Sequence, residues 1–142
     1  MRKEVEKAKK LLEDGGYTCV LTDGETVWTH SARGVAPLLP YVREGRILSA
    51  FCAADKVVGR AAAFLYVQMK IGGLYAEVLS EPAKEILDRY GIPTEYGVLV
   101  EAIQNRTGDG FCPMETATRG IQDPIEAIGA IEAKLTELRA GK

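Results

Sequence analysis

The first candidate site lies in segment 53–63, where an aspartate and a lysine precede a run of small residues. Asp55 is predicted to cap a helix that starts at the carboxyl end of a strand, where open α/β sheets bind ligands. Lys56 would place a cation in the first turn of this helix, where the helix dipole is unfavourable for positive charge. We therefore expect Lys56 to face a partner anion or Asp55. Gly59 and the alanines after it permit close packing. The segment therefore predicts either a carboxylate–ammonium site or a plain helix cap.

The second candidate site is a glycine-rich loop followed by a cysteine. Asn105 and Arg106 begin the loop, and the guanidinium is suited to hold a phosphate or carboxylate. Cys112 precedes a proline and is predicted to occupy the N-cap of a short helix, where the helix terminus lowers the pKa of a thiol. Glu115 can close a capping box, but its charge opposes a thiolate. A reactive thiol and an inert cysteine in a capped turn both fit.

Composition limits the class of protein. The chain has 142 residues, of which 46% are hydrophobic and 27% charged, which predicts one globular domain over 1–142. The net charge of −2 argues against nucleic acid as a partner. The three cysteines form no CxxC pair, the N-terminal stretch lacks a signal-peptide core, and no apolar run approaches membrane-spanning length. We therefore expect a cytoplasmic protein with no membrane partner, and the oligomeric state stays open, a homo-oligomer included.

Motifs for cofactors and metals do not occur in the sequence. It contains no P-loop, no G-x-G-x-x-G and no HExxH. The single histidine, His30, is weak evidence for catalysis without known geometry. We therefore predict no cofactor and no metal.

The elements that would position these sites alternate along the chain. Helices are predicted at 2–14, 35–43, 56–70, 80–91, 113–119 and from Asp123 onward; strands are predicted at 17–21, 26–31, 47–53, 74–79 and 96–103. Asp23–Gly24 predicts a hairpin between the first two strands, and Ser80 and Asp123 are predicted to cap the helices that follow them. The fold class is therefore an α/β three-layer α-β-α sandwich, with a five-stranded mixed sheet made of a hairpin and three parallel strands. The predicted core stripe of the last helix is Ile125, Ile128, Ile131, Leu135 and Leu138.

The motifs together resemble an uncharacterised prokaryotic family with a cytidine-deaminase-like fold. The resemblance rests on ADKVVGRAAA at 54–63, Asn105-Arg106 and CPME at 112–115, and it covers nearly the whole chain. The family has no assigned activity. The resemblance implies strand order 2-1-3-4-5 and a pocket between the N-termini of the second and third helices.

This sequence departs from the zinc deaminases of that superfamily, which carry H-x-E and P-C-x-x-C. Ala32 stands where the proton-shuttling glutamate would be, and Asp55 stands where the second cysteine would be. His30, Cys52 and Asp55 can be written as three zinc ligands, but the site would lack its acid/base. The resemblance therefore implies a rebuilt site rather than a zinc deaminase.

Two functions remain open. The first is a small-molecule enzyme, with Asp55 and Lys56 as acid/base and anion holder and Cys112 as nucleophile or sulfur carrier. The second is a noncatalytic ligand-binding or assembly domain that has lost deaminase chemistry. The ligand would be a small molecule, with nucleotide-like and other anions as candidates. The predicted catalytic residues are Asp55, Lys56, Cys112 and Glu115, and the predicted ligand-binding residues are Ser31, Gly34, Gly59, Asn105 and Arg106. We expect both motifs to share one cleft.

Overall fold

A computed structural model describes residues 3–32, 34–103 and 113–140. The elements in chain order are α1 (Lys3–Gly15), β1 (Cys19–Thr22), β2 (Val27–His30), α2 (Leu39–Arg43), β3 (Cys52–Val58), α3 (Arg60–Met69), β4 (Gly73–Ser80), α4 (Glu81–Arg89), β5 (Thr94–Val100), α5 (Pro113–Thr118) and α6 (Pro124–Ala140). None of the helices within these ranges is long and apolar enough to cross a membrane.

The five strands form one mixed sheet in the order β2-β1-β3-β4-β5, which confirms the predicted order. Strand β1 pairs antiparallel with both β2 and β3, whereas β3, β4 and β5 run parallel. Strand β3 is therefore central, and the carboxyl ends of the three parallel strands lie at the same edge of the sheet.

Helices cover both faces of the sheet. On one face, Val5, Ala8 and Leu12 of α1 pack against Val20, Cys52 and Ala54 of the strands. On the other face, the buried helix α3 packs with residues of β1, β3 and β4 and also contacts α4, α5 and α6. This arrangement agrees with the predicted three layers. Successive side chains of a strand point to opposite faces, so β3 contributes residues to both cores.

The hairpin between β1 and β2 is confirmed, but its turn is longer than Asp23–Gly24. Thr22 pairs with Val27, which leaves four residues in the loop. The Asp23 Oδ1 atom accepts hydrogen bonds from the backbone N–H groups of Glu25 at 3.0 Å and Thr26 at 2.7 Å. Gly24 takes the positive φ of 101° that the loop requires. The aspartate side chain therefore closes the turn.

The position of β3 corrects the prediction of a strand over 47–53. The observed strand is Cys52–Val58, and Ile47 is 58% exposed. Val57 and Val58 pair with Val78 and Leu79 of β4, because β-branched residues favour the pleated sheet. Helix α3 begins at Arg60, after Gly59, which gives no side-chain cap. Asp55 is therefore not a helix cap, and Gly59 precedes the helix rather than lying inside it.

Two other predicted helix caps are confirmed. Ser80 Oγ accepts a hydrogen bond from the N–H of Ala83 at 3.2 Å, at the start of α4. Asp123 Oδ2 accepts one from the N–H of Glu126, also at 3.2 Å, at the start of α6. Both side chains satisfy a donor that the first turn of a helix leaves without a backbone partner.

The predicted core stripe of α6 is wrong at its two ends. Ile125 is 71% exposed and Leu138 is also exposed, whereas Ile131 is fully buried with Ala127. Ile128 and Leu135 are partly buried against the same core. The helix therefore contacts α3 mainly through its middle turns.

Helix α2 is shorter than the predicted 35–43, since it begins at Leu39, next to Pro40.

Candidate functional site

A cleft of about 370 Å³ opens beside the second half of β3. It lies between this strand, the start of β1 and the segment that leads into α2. Its volume is at the lower end of the range of small-molecule sites in proteins. The lining residues are Thr18, Cys19, Ala32, Gly34, Pro37, Asp55, Lys56 and Val57.

Asp55 provides the buried carboxyl group of the cleft, with only 6% of its surface exposed. Its Oδ2 atom accepts a hydrogen bond of 2.7 Å from the Tyr66 hydroxyl, and Oδ1 accepts one of 3.3 Å from the N–H of Val57. Burial raises the pKa of this carboxyl to about 7, although the hydrogen bonds from Tyr66 and the backbone act in the opposite direction. The group therefore changes charge near neutral pH.

Tyr66 and Cys19 continue the hydrogen-bonded chain behind Asp55. The Tyr66 oxygen lies 3.4 Å from Cys19 Sγ, and because its own proton goes to Asp55, the thiol is the donor. Burial, together with the nearby Asp55, raises the pKa of the Cys19 thiol well above its usual value. Burial raises the pKa of Tyr66 as well. Both groups therefore stay protonated, and Cys19 is not an activated nucleophile.

The predicted carboxylate–ammonium pair does not form. Asp55 faces Tyr66 of α3, so the next residue of the strand belongs to the opposite face. There Lys56 lines a groove with Leu12 of α1 and Tyr75 of β4. Lys56 also lines the cleft, and its backbone N–H donates to the carbonyl oxygen of Thr18 at 3.0 Å.

A second, apolar cavity of about 150 Å³ adjoins the cleft. Gly34 and Val57 line both spaces, and Gly59 lines the second one. Ser31, by contrast, is exposed and lies outside the lining of both. The remaining lining residues of the apolar cavity are Val35, Ala61, Ala62, Ile103 and Met114. Two of the five predicted ligand-binding residues therefore meet at this site.

The second predicted motif falls mostly outside the described residues. Asn105, Arg106 and Cys112 lie there, and so does the side chain of Glu115 in α5. Their convergence with Asp55 stays a prediction. Met114, the neighbour of Glu115, lines the apolar cavity, so the beginning of α5 lies next to the site.

The three residues that could be written as zinc ligands do not come together. Cys52 is buried on the α1 face, whereas Asp55 faces α3. His30 Nε2 makes a 2.7 Å hydrogen bond with the Tyr41 hydroxyl, and burial lowers the pKa of this imidazole. Among the residues that the structure describes, no three His, Cys, Asp or Glu side chains are grouped so that they could hold a metal ion.

Sequence reasoning did not identify Tyr66 or Cys19 as members of the site. Tyr66 carries a hydroxyl in the middle of a helix whose other residues from Ala61 to Val67 are buried and apolar. A buried hydroxyl needs a hydrogen-bond partner, so a tyrosine at this position indicates a polar partner in the core. The partner, Asp55, is known only from the fold.

We expect the three thiols to react at very different rates with an alkylating agent. Cys19 and Cys52 are both buried, so they will react only after the protein opens. Cys112 is predicted to react first. Limiting iodoacetamide followed by peptide mapping measures the order, with a sample in denaturant as the control. Modification of Cys19 or Cys52 as fast as Cys112 would contradict the expectation.

The comparisons with known proteins give a family without an assigned activity. The model of the family described as "TM1506: Domain of unknown function (DUF1893)" matches residues 7–135. A crystal structure of a DUF1893 family protein (TM1506) from Thermotoga maritima is similar to this chain, with a TM-score of 0.87 and 25% sequence identity. The similarity covers 94% of this chain and 92% of that one. No curated protein matches the chain.

Proposed function

Because the chain belongs to the DUF1893 family, whose function is unknown, we propose a function from the cleft itself: it binds a small molecule, and Asp55 exchanges a proton with that molecule. The observation that carries this proposal is the buried Asp55 carboxyl, which borders the cleft and has a pKa of about 7. A general acid or base works best when its pKa lies near the working pH. Asp55 therefore has the properties of an acid/base group at neutral pH.

The setting of this carboxyl supports a functional role. Asp55 accepts a hydrogen bond on each oxygen, from Tyr66 and from the N–H of Val57, whereas an asparagine could accept on its single carbonyl oxygen only. The groups that favour the ionised form of Asp55 are neutral, since they are the tyrosine hydroxyl and backbone N–H groups. Ionisable groups with raised pKa values beside clefts are concentrated at functional sites.

The cytidine-deaminase-like fold stays part of this proposal. Strand order 2-1-3-4-5 supports it, and so does a cleft bordered by the segment before α2 and by the residues that precede α3. Ala32 lines this cleft at the position where the resemblance would require a glutamate. The proposed chemistry therefore centres on Asp55 and not on a metal-activated water.

Noncatalytic binding is the second candidate, and Ala32 is the observation that favours it. Asp55 is the one buried carboxyl of the cleft lining, the buried Cys19 thiol keeps its proton, and Ala32 adds no second acid/base group. A site with a single proton-exchanging group binds a ligand more readily than it transforms one.

We also retain, as proposals from the sequence, one domain over 1–142, a cytoplasmic location and no nucleic-acid partner.

The charge of the cleft changes the proposed ligand. An anion was expected from Lys56 and Arg106, but Lys56 belongs to the α1 face and Arg106 lies outside the described residues. The buried ionisable group of the cleft lining with a pKa near neutrality is a carboxyl. We therefore propose a neutral or cationic small molecule that donates hydrogen bonds.

A fragment screen tests this function. We expect small donor-bearing compounds to raise the melting temperature of the wild-type protein and to perturb the Asp55 carboxyl resonance in NMR spectra. Asp55→Asn should lose these effects, whereas Asp23→Asn, a substitution of the hairpin aspartate remote from the cleft, should retain them. The bound compounds are then incubated in D2O, and deuterium uptake at carbon is followed by mass spectrometry. Uptake that requires Asp55 supports catalysis, and binding without uptake supports the second candidate. If every bound compound behaves alike with wild type and Asp55→Asn, the proposed function is wrong.

A further inference from the structure

We propose that the cleft and the adjoining apolar cavity form one two-part site for a ligand with a cationic nitrogen head, of the amidine type, and a compact aliphatic tail. This inference rests on the proposed function, since it requires that Asp55 faces the ligand. It adds the chemical class of the ligand and the part of the structure that selects its length.

The two spaces adjoin each other. Gly34 and Val57 line both of them, so a ligand in the 370 Å³ cleft can extend past these residues into the 150 Å³ cavity. Val57 lines both spaces and is 43% exposed, so it is not part of the packed core.

The second cavity is lined mainly by apolar surface. Its residues are Gly34, Val35, Val57, Gly59, Ala61, Ala62, Ile103 and Met114, and none of them has a charged or hydrogen-bonding side chain. A polar group placed there would lose its water without gaining a side-chain partner. At about 30 Å³ for each water-sized atom, the volume fits roughly five heavy atoms. The cavity therefore suits a short aliphatic chain.

The polar end of the site favours a cation. The elements packed around Asp55 contribute Cys19 from β1, Tyr66 from α3 and Ala76 from β4, and none of these is a cation. Lys56, the cationic residue of the lining, is exposed and also lines the groove on the α1 face. A ligand cation would therefore supply the charge partner that the ionised carboxyl needs in a buried setting.

An amidinium ion also matches the hydrogen-bonding capacity of this carboxyl. By geometry, Oδ2 of Asp55 accepts a hydrogen bond from Tyr66 and Oδ1 accepts one from Val57, while the backbone N–H of Lys56, which donates to the carbonyl oxygen of Thr18, also favours the ionised carboxyl. Each carboxylate oxygen can accept about two bonds, so one position remains on each. Two parallel N–H groups of a planar cation fill two such positions at once. A single ammonium group does not present two parallel N–H groups in one plane, so it cannot fill both positions in this way.

Linear alkylamidinium ions with one to seven carbon atoms in the chain are the probes. We expect their affinity, measured by isothermal titration calorimetry at pH 8, to increase about fourfold for each added methylene, the value of its transfer from water. The increase should stop near five carbon atoms, where the apolar cavity is full. Below pH 7 the affinity should fall about tenfold per pH unit, because the cation must displace the proton of Asp55.

Variants separate the two parts of the site. Val57→Phe narrows the junction and should abolish the gain from longer chains while short ions still bind. Val98→Phe is the matched control, since Val98 is a strand valine, 55% exposed, on β5. Met114→Ala enlarges the cavity and should move the best chain length upward. Asp55→Asn should remove the binding of all the ions and its dependence on pH.

The outcomes separate this inference from the proposed function. Ions that bind through Asp55 with equal affinity at every chain length overturn the two-part site and leave the proposed function intact. The same holds if no amidinium binds but other compounds bind through Asp55. If Asp55→Asn binds the ions as tightly as wild type, the inference is wrong, and the fragment screen then decides the proposed function separately.

Discussion

The free energy of unfolding of Asp55→Asn, measured relative to that of wild type, will be about 4 kcal/mol higher at pH 8 than at pH 4. The reason is the pKa of Asp55, which burial raises from an ordinary 3.8 to about 7 in the folded protein. Between these two values the folded state keeps a proton that the unfolded state has released. Wild type therefore loses stability as the pH rises from about 4 through 7, and the asparagine variant does not.

Urea denaturation at pH 4 and pH 8 measures this difference directly. Asp23→Asn is the matched control, because hydrogen bonds from Thr26 and Glu25 lower the pKa of Asp23. The contribution of Asp23 to stability is present above its unfolded pKa and is lost as the pH falls, so the control has the opposite sign. Equal pH dependence in wild type and Asp55→Asn would show that Asp55 is not a carboxyl with a raised pKa.

This behaviour connects stability with the proposed function. A carboxyl that destabilises the fold above neutral pH will gain the most from a ligand that completes its interactions, since binding to the folded state alone adds stability. The loss of stability in wild type should therefore increase with pH, and so should the stability that is gained when a cation binds. A structural carboxyl satisfied within the protein would show neither effect.

Local signals predicted the parts of the fold that local chemistry determines. Ser80 and Asp123 were identified as helix caps from residue type and spacing, and each accepts a hydrogen bond from the N–H three residues later. The hairpin at Asp23 and the helical connections predicted a hairpin with three parallel strands, and the family resemblance implied the strand order that the structure shows. These features depend on contacts over a few residues or on general topology.

The site depends on contacts that no local pattern contains. Asp55 and Lys56 resemble the start of a helix, but pairing with β1 and β4 places this segment in the sheet. The environment of the carboxyl comes from Tyr66, on the helix that follows β3, and from Cys19 on β1, which β2 and α2 separate from β3 in the chain. The raised pKa of Asp55 could therefore not be predicted from the sequence.

Tyr66→Phe will destabilise the protein more at pH 8 than at pH 4. The Tyr66 hydroxyl donates to Asp55 Oδ2 at 2.7 Å, and a hydrogen bond to an ionised group contributes about 1.5–3 kcal/mol, against about 1 kcal/mol for a neutral pair. We expect a loss of about 1 kcal/mol at pH 4 and at least twice that at pH 8. The pKa of Asp55 should rise accordingly, because the lost bond favours the carboxylate.

A double-mutant cycle tests the link between Tyr66 and the charge of Asp55. Wild type, Tyr66→Phe, Asp55→Asn and the double variant are unfolded with urea at both pH values, and the Asp55 carboxyl is titrated by 13C NMR. In the asparagine background the cost of Tyr66→Phe should no longer depend on pH. Tyr75→Phe, which alters a buried tyrosine on the α1 face, is the control and should cost the same at both pH values. An equal loss for Tyr66→Phe at pH 4 and pH 8, with an unchanged titration, would mean that the hydroxyl supports packing and does not influence the proton of Asp55.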